Sequence, residues 1–277
     1  MVLDYLSKKY DWTDPRTAAI LDETSLWSSA FSRLLLNHIP LKPNVRLLDI
    51  GTGTGVPLFE LAHRLGESAH LTGIDLQPAF LERAKWKKSF FGLENVELVQ
   101  GDATQLPFED GTFDLVVSNL GINNFADPER AVAEAFRVLK KGGRLILTTN
   151  LEGHFREFYS VFEAVLRDLR FGDIAGKVSA LEARRGTVES VRELVENAGF
   201  SIPKIVREYD AMRYLDGSAF LRHPLIIYGF LPDLRSLISP ENEVAIFSEV
   251  ETRLNEEARW SGELKMSVPM LYVEGLK

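Results

Sequence analysis

The chain contains no cysteine. That excludes disulfides, thiolate metal sites and cysteine nucleophiles, and it is compatible with a reducing cytosol. Long apolar runs are missing too. No stretch approaches the roughly 20 apolar residues of a membrane span. The N-terminus, MVLDYLSKKYDW, lacks the apolar core of a signal peptide. A cytoplasmic protein without a membrane span is therefore expected. A surplus of positive charge is also absent. Lys and Arg number 32 against 40 Asp and Glu, a formal net charge of −8. Nonspecific nucleic-acid binding needs cationic surface, so a nucleic-acid partner is not expected. Neither repeats nor low-complexity tracts interrupt the chain. What remains is 277 residues, 45% hydrophobic and 26% charged, which suits one large core or one core plus insertions.

The rest is organised around residues 46–59, RLLDIGTGTGVPLF. An apolar run, Leu47, Leu48 and Ile50, is broken by Asp49. Three glycines follow at alternate positions, Gly51, Gly53 and Gly55. A helical pattern then starts with Leu58, Phe59, Leu61, Ala62 and Leu65. Strand, glycine turn and helix are the parts of a nucleotide-binding crevice. Glycine lets the main chain take positive φ and lets a ligand approach it closely.

Before this unit, residues 1 to about 25 are polar and aromatic, and Tyr5, Tyr10 and Trp12 are expected to pack the lid, with Trp27 following them. Asp14-Pro15 marks a helix start, and Leu26 to Ile39 fit a helix that Pro40 and Pro43 end. After it, strands are expected over 70–74, 96–100, 113–118 and 144–149. A helix opens at Pro78, with Phe80, Leu81, Ala84 and Phe91 as its apolar face. Another spans 128–139, with Lys140-Lys141-Gly142-Gly143 read as cations in its last turn and glycine beyond. This alternation predicts a doubly wound, mostly parallel α/β sheet. A sixth strand over 204–212 and a last over 265–273 bring the total to seven. Right-handed crossovers set every parallel strand's C-terminal end on one edge. Gly51 to Gly55, Asp75, Asp102 and Asn119 all follow such ends, where open α/β sheets bind ligands.

Two long excursions, 151–186 and 214–263, leave from C-terminal strand ends. With residues 1–40 they are expected to form a helical lid or cap over a domain spanning 41–277.

GTGTGV lacks the GK[ST] ending of a P-loop. A dinucleotide fingerprint would place glycine where this chain has Val56. A second acidic strand end, Asp102, joins Asp75. Two acids and a glycine turn match an adenosine ligand that carries an amino acid.

In combination these segments resemble class I S-adenosylmethionine-dependent methyltransferases, particularly the small-molecule branch that includes the ubiquinone and menaquinone biosynthesis enzymes. LLDIGTGTG looks like the first motif of that family, GIDLQPAFLERAK like the second, and GDATQLPFEDGTFDLVVSN like the third and fourth. VLKKGGRLIL is similar to the segment that follows. The resemblance covers about residues 40–150. It implies a Rossmann-like methyltransferase fold and S-adenosyl-L-methionine as cofactor. It also implies that Asp75 binds the ribose hydroxyls, that Asp102 accepts from the adenine amino group, that the Ala103 N–H faces adenine N1 and that Leu76 packs on adenine. Gly51, Thr52, Gly53, Gly55 and Asp49 would flank the methionine moiety, with Asn119 near its amino or carboxylate end. Many relatives have a histidine-rich segment after the fourth strand. Here it reads Gly121-Ile122-Asn123-Asn124-Phe125, so no histidine role carries over.

The expected activity is methyl transfer to a small, rather apolar acceptor. Phe155, Phe158, Phe162, Phe220, Leu221 and Phe230 in the excursions suggest that polarity. A catalytically silent S-adenosylmethionine-binding regulator is the alternative, and an NAD-linked oxidoreductase a remoter one. Nothing in the sequence announces a general base. Substrate-side candidates by position are His154, Tyr159, Arg184, His223 and Tyr228, and Arg185 beside Arg184 could also grip an acidic group. Asp114 starts a strand away from the ligand edge, where a structural role is expected. His38, His63 and His70 are read as surface residues. No metal site is expected.

Overall fold

The computed structural model describes residues 3–8, 11, 13–23 and 26–277. A 3-10 turn (Asp4–Ser7) is followed by α1 (Pro15–Glu23), α2 (Leu26–His38), β1 (Arg46–Ile50), α3 (Val56–Leu65), β2 (His70–Asp75), α4 (Pro78–Phe91), β3 (Val96–Gln100) and β4 (Phe113–Asn119). A second 3-10 turn (Gly121–Asn124) leads to α5 (Pro128–Val138), β5 (Leu139–Asn150), α6 (Arg156–Asp168), α7 (Gly172–Ala183) and α8 (Val188–Asn197). The chain ends with β6 (Ser201–Tyr214), α9 (Gly217–Leu221), α10 (Pro224–Gly229), α11 (Leu231–Ser236), α12 (Pro240–Ser261) and β7 (Leu264–Leu276). Tyr10 and Trp12 lie outside the described residues.

The strands form one seven-stranded sheet in the order β3-β2-β1-β4-β5-β7-β6. β1 pairs in parallel with β2 and β4, β2 with β3, and β4 with β5. β7 runs antiparallel to β5. The doubly wound, mostly parallel sheet expected from the sequence is the one observed. Its order reverses between β1 and β4, which makes the C-terminal end of β1 the topological switch point. Leu47, Leu48, Val116 and Val117 are fully buried, as strands covered on both faces require.

Two local readings differ. α5 stops at Val138, and Lys140 to Gly143 belong to β5. Phe113 pairs with Leu139 but Leu115 with Arg144, so the intervening residues bulge out of the ladder. Lys140 spends its charge on Asp114 at 2.7 Å, whose other oxygen accepts from the Arg46 N–H at 2.9 Å. Asp114 thus pins the starts of β1 and β4. On α4 the buried face is Ala79, Leu81 and Ala84, whereas Phe91 stays 46% exposed.

The chain divides into two compact units. The sheet unit holds Asp11–Asn150, Thr187–Glu208 and Met270–Lys277. The helical unit holds Met1–Tyr10, Leu151–Gly186 and Tyr209–Pro269. The N-terminal 40 residues are thus shared, with α1 and α2 in the sheet unit. In the helical unit α6 packs on α7 and α12, and α12 on α9. Its core is aromatic: Phe155, Phe158, Phe162, Phe220 and Phe247 are fully buried. Inside it lies the carboxylate of Glu251, 0% exposed. Glu251 accepts from Tyr5 Oη at 3.2 Å, Ser218 Oγ at 2.6 Å and Arg222 Nη1 at 2.7 Å. Those bonds satisfy a charge that would otherwise be costly to bury, and they fasten the first 3-10 turn to α12.

Candidate active site

The glycine turn after β1 is held by β2. The Gly51 and Thr52 N–H groups donate to Ile74 O at 2.9 and 3.0 Å, and the Gly55 N–H donates to Thr52 O at 2.8 Å. Gly51, Gly53 and Gly55 have φ of 72°, 57° and 85°, conformations that side chains resist. At Gly55 a Cβ would also lie 2.4 Å from the Phe59 ring. The turn therefore needs glycine for backbone conformation and for packing on α3.

Two acids flank this turn. Asp75 Oδ2 accepts from the Gly53 N–H at 2.7 Å and Oδ1 from the Gln77 N–H at 2.9 Å. Burial raises the Asp75 pKa, and the main-chain donors partly offset the rise. Asp49 is 1% exposed. Its Oδ2 accepts from Thr52 Oγ1 at 2.8 Å, while Oδ1 has no hydrogen-bond partner among the described residues. Burial first, and then the charge of Asp75, push the Asp49 carboxyl up to about 7, against the pull of Thr52. A buried carboxyl with an unspent oxygen beside a glycine turn fits a cationic ligand group.

Further along the edge, Leu76 is 59% exposed although apolar. Asp102 is exposed, and its Oδ1 accepts from the Thr104 N–H at 2.8 Å; this bond lowers its pKa. Ala103 sits in the same turn. Asn119 is committed at both ends: its Nδ2 donates to Ser32 Oγ at 3.1 Å and its Oδ1 accepts from Thr148 Oγ1 at 2.6 Å. The sheet unit thus gathers Asp49, Gly51, Thr52, Gly53, Gly55, Asp75, Leu76, Asp102, Ala103 and Asn119 at or just beyond the C-terminal ends of neighbouring strands.

Sequence reading missed three contributors. Asp22 on α1 accepts from Thr54 Oγ1 of the glycine turn at 2.7 Å, and from Arg83 Nε and Lys87 Nζ of α4 at 3.1 and 2.7 Å. Gly121 fits so closely that a Cβ would lie 2.9 Å from Ile50 O. Asn123 donates to Asn150 Oδ1 at 2.8 Å and accepts from Thr149 Oγ1 at 2.5 Å. Glycine and asparagine after a strand end were the available signal for the last two.

The helical unit brings together His154, Tyr159 and a cation, but that cation is Arg185. Arg184 is paired with Asp233 at 3.1 Å on the surface. The Arg185 guanidinium lies 5.5 Å from the Tyr159 ring centre and 5.0 Å from that of Phe230. The His154 ring stacks on Phe155 at 3.9 Å and on Phe230 at 5.4 Å. Burial, and then the charge of Arg185, hold His154 well below its usual pKa, so the imidazole is neutral near pH 7. Burial likewise raises Tyr159. Tyr228 is buried in α10. His223 caps that helix, its Nδ1 accepting from the Leu225 N–H at 3.2 Å. Among the described residues no group of three or more His, Asp or Glu could hold a metal ion, and no helix is long and apolar enough to cross a membrane.

A glycine turn at the switch point, with acids at or near the C-terminal ends of the first three strands, places the fold among the Rossmann-like methyltransferases. A SAM-dependent methyltransferase from Aquifex aeolicus superposes with a TM-score of 0.54 at 23% identity, over 72% of this chain and 93% of that one. The family model described as "Methyltransferase domain" matches residues 41–198, more than half of the chain, and the chain belongs to that family. It is 31% identical to the demethylmenaquinone methyltransferase of Bacillus cytotoxicus over 72% of this chain and 85% of that protein. It is 37% identical to the phosphatidylethanolamine N-methyltransferase of Cereibacter sphaeroides over 56% of this chain and 74% of that protein. The protein is an S-adenosylmethionine-dependent methyltransferase that acts on a small acceptor.

Proposed function

We propose that the acceptor is an apolar, aromatic molecule of the quinol class, held by the helical unit while the sheet unit holds the cofactor. The observation that carries this reading is the buried cluster of Phe155, Tyr159 and Phe230 around His154 and Arg185. Its rings supply flat apolar area at low entropic cost, and Arg185 supplies a cation for an acceptor oxygen that gains negative character. The name of the Bacillus cytotoxicus relative, a methyltransferase of demethylmenaquinone, agrees with it.

S-adenosyl-L-methionine, when bound, supplies a methyl group already activated by its sulfonium. The protein's task is then to hold the acceptor atom in line and keep water out. Asp49, once ionised, provides the negative charge that a sulfonium and an ammonium group require. Asp75 offers acceptor oxygens to a ribose diol while Gly53 and Gln77 fix its orientation. Leu76 gives the adenine an apolar surface, Asp102 and Ala103 address its edge, and Asn119 sets the floor of the methionine end. His154, kept neutral by burial and by Arg185, offers the acceptor a ring nitrogen for a hydrogen bond and is a poor site for a proton. Tyr159 and Tyr228 orient the ring, and His223 and Arg184 shape the surrounding helices.

A screen with labelled S-adenosylmethionine and quinols, phenols, amines and carboxylates tests the assignment. Label should pass to quinols with the highest kcat/KM. Transfer to amines alone would overturn the acceptor class and leave the methyltransferase assignment standing.

A further inference from the structure

The C-terminal ends of β4 and β5 carry a file of hydroxyl and amide side chains. Ser32 Oγ on α2 donates to Ser28 O at 3.1 Å and accepts from Asn119 Nδ2 at 3.1 Å. Asn119 Oδ1 accepts from Thr148 Oγ1 at 2.6 Å. Asn150 lies on the same face of β5 as Thr148, and its Oδ1 accepts from Asn123 Nδ2 at 2.8 Å. Asn123 Oδ1 accepts from Thr149 Oγ1 at 2.5 Å, a shorter contact than the 3.1 Å from that hydroxyl to Asn150 O. So short a distance belongs to an O–H donor and not to an N–H donor. It fixes which way the Asn123 amide faces, and through it the amide of Asn150.

One group in this file is unspent. Asn150 is 3% exposed, yet its Nδ2 donates to nothing among the described residues. An open donor in a buried network that is otherwise satisfied is costly, and it points to a ligand atom that completes it. The backbone is bent to build this corner. Leu120 has φ of 63°, a left-handed conformation that leucine takes only under constraint. The turn it starts brings Asn123 to the end of β5.

Sheet order says what the donor meets. The two acids Asp75 and Asp102 belong to the ends of β2 and β3, on one side of β1. Asn150 ends β5, on the other side and beyond β4. Two strand spacings put it about 10 Å along the edge from the glycine turn. It therefore lies past the methionine end of the cofactor, on the side left to the acceptor. An amide N–H suits an acceptor oxygen. It does not suit a reacting amine, because it would tie up the lone pair that has to reach the methyl group.

We propose that Asn150 positions the methyl acceptor by donating from Nδ2 to one of its oxygens, while Asn123 and Thr149 lock the amide in that orientation. The inference rests on the quinol reading for its acceptor, and adds the group that recognises a quinol oxygen.

Two measurements with a naphthoquinol as probe test it. In NMR of the side-chain amides, the Asn150 resonances, identified by their loss in Asn150→Asp, should shift when the quinol is added to the protein with S-adenosylhomocysteine. In steady-state rates, Asn150→Asp keeps the shape and the acceptor for Asn123 but loses the donor, and Asn150→Ala loses both. In each variant KM for the quinol should rise at least about tenfold, while S-adenosylhomocysteine affinity stays constant and verifies the fold. Unchanged KM in both variants, or amide resonances that ignore the quinol, overturn the inference and leave the quinol reading standing. So does a loss of S-adenosylhomocysteine affinity with KM unchanged, since the donor would then serve the cofactor's carboxylate. Should phenols take the label in place of quinols, the quinol reading falls, and the same shift and KM change with a phenol uphold the inference. Transfer to amines alone overturns both.

Discussion

Asp49→Asn tests the charge logic at the glycine turn. Asp49 is 1% exposed, and the folded protein holds its carboxyl at about 7 against an ordinary 3.8. The sign follows from which state binds the proton. Below 3.8 both folded and unfolded chains are protonated, and burial carries no charge penalty. Between 3.8 and about 7 the folded chain keeps a proton that the unfolded chain has released, so stability falls as pH rises. Above about 7 the folded state carries the full penalty, which this gap sets at about 4 kcal/mol. Asparagine has the same shape, still accepts from Thr52 Oγ1, and never ionises.

The cofactor-free variant should therefore be more stable than the wild type at pH 8, by up to about 4 kcal/mol, and the advantage should shrink towards pH 5. Ligand binding should move the other way. Wild-type affinity for S-adenosylmethionine should climb by up to about tenfold per pH unit towards pH 7 and then flatten, because binding a cation requires the ionised carboxylate. Asp49→Asn should bind weakly with a flat profile. Thermal melts and titration calorimetry from pH 5 to pH 8 measure both. Equal stability of the two proteins at every pH, together with a wild-type affinity that ignores pH, would refute the reasoning.

The parts of the site made by short-range geometry could be read from the sequence. An apolar run broken by Asp49, glycines at alternate positions and a helical pattern specify strand, turn and helix within 20 residues of one another. Asp75 and Asp102 were legible because one ends a strand and the other follows the end of the next, on the same sheet edge. Side chains whose partners come from far along the chain were not. Asp22 meets Thr54, Arg83 and Lys87, which lie 32, 61 and 65 residues away, and no local pattern marks it. Arg184 and Arg185 are neighbours in sequence, but successive positions on a helix end point about 100° apart, so one reaches Asp233 and the other the aromatic cluster. For His223 the signal was present in the following Pro224: proline at a first helical position makes the residue before it a cap. The bulge at Lys140 to Gly143 hid behind a helix-ending pattern, because paired glycines serve a bulge as well as a C-cap.

Asp75→Ala removes charge-assisted bonds worth about 1.5–3 kcal/mol each; cofactor affinity measured by calorimetry should fall at least tenfold, with Asp75→Asn between the two because it still accepts from Gly53. Arg185→Met keeps an unbranched apolar side chain but deletes the cation beside Tyr159 and Phe230; acceptor KM should rise several-fold while S-adenosylhomocysteine affinity stays constant. Glu251→Ala should loosen the helical unit from within. The carboxylate is fully buried and takes bonds from Tyr5, Ser218 and Arg222, and Arg222 also holds Asp4 at 2.9 Å and covers the Tyr5 ring at 5.0 Å. Removing it takes the acceptor from a buried phenol and one of two carboxylates from Arg222, which keeps Asp4, a loss of about 2–3 kcal/mol. Tyr5→Phe deletes one donor and should cost only about 1 kcal/mol. Because Asp4–Ser7 is tied to α12 through this carboxylate, amide exchange at Tyr5 and Leu6 should accelerate strongly in Glu251→Ala, while amides in β1 and β4 keep their protection. Unchanged exchange at Tyr5 would mean that apolar packing of that ring, and not the buried charge, fastens the N-terminal turn.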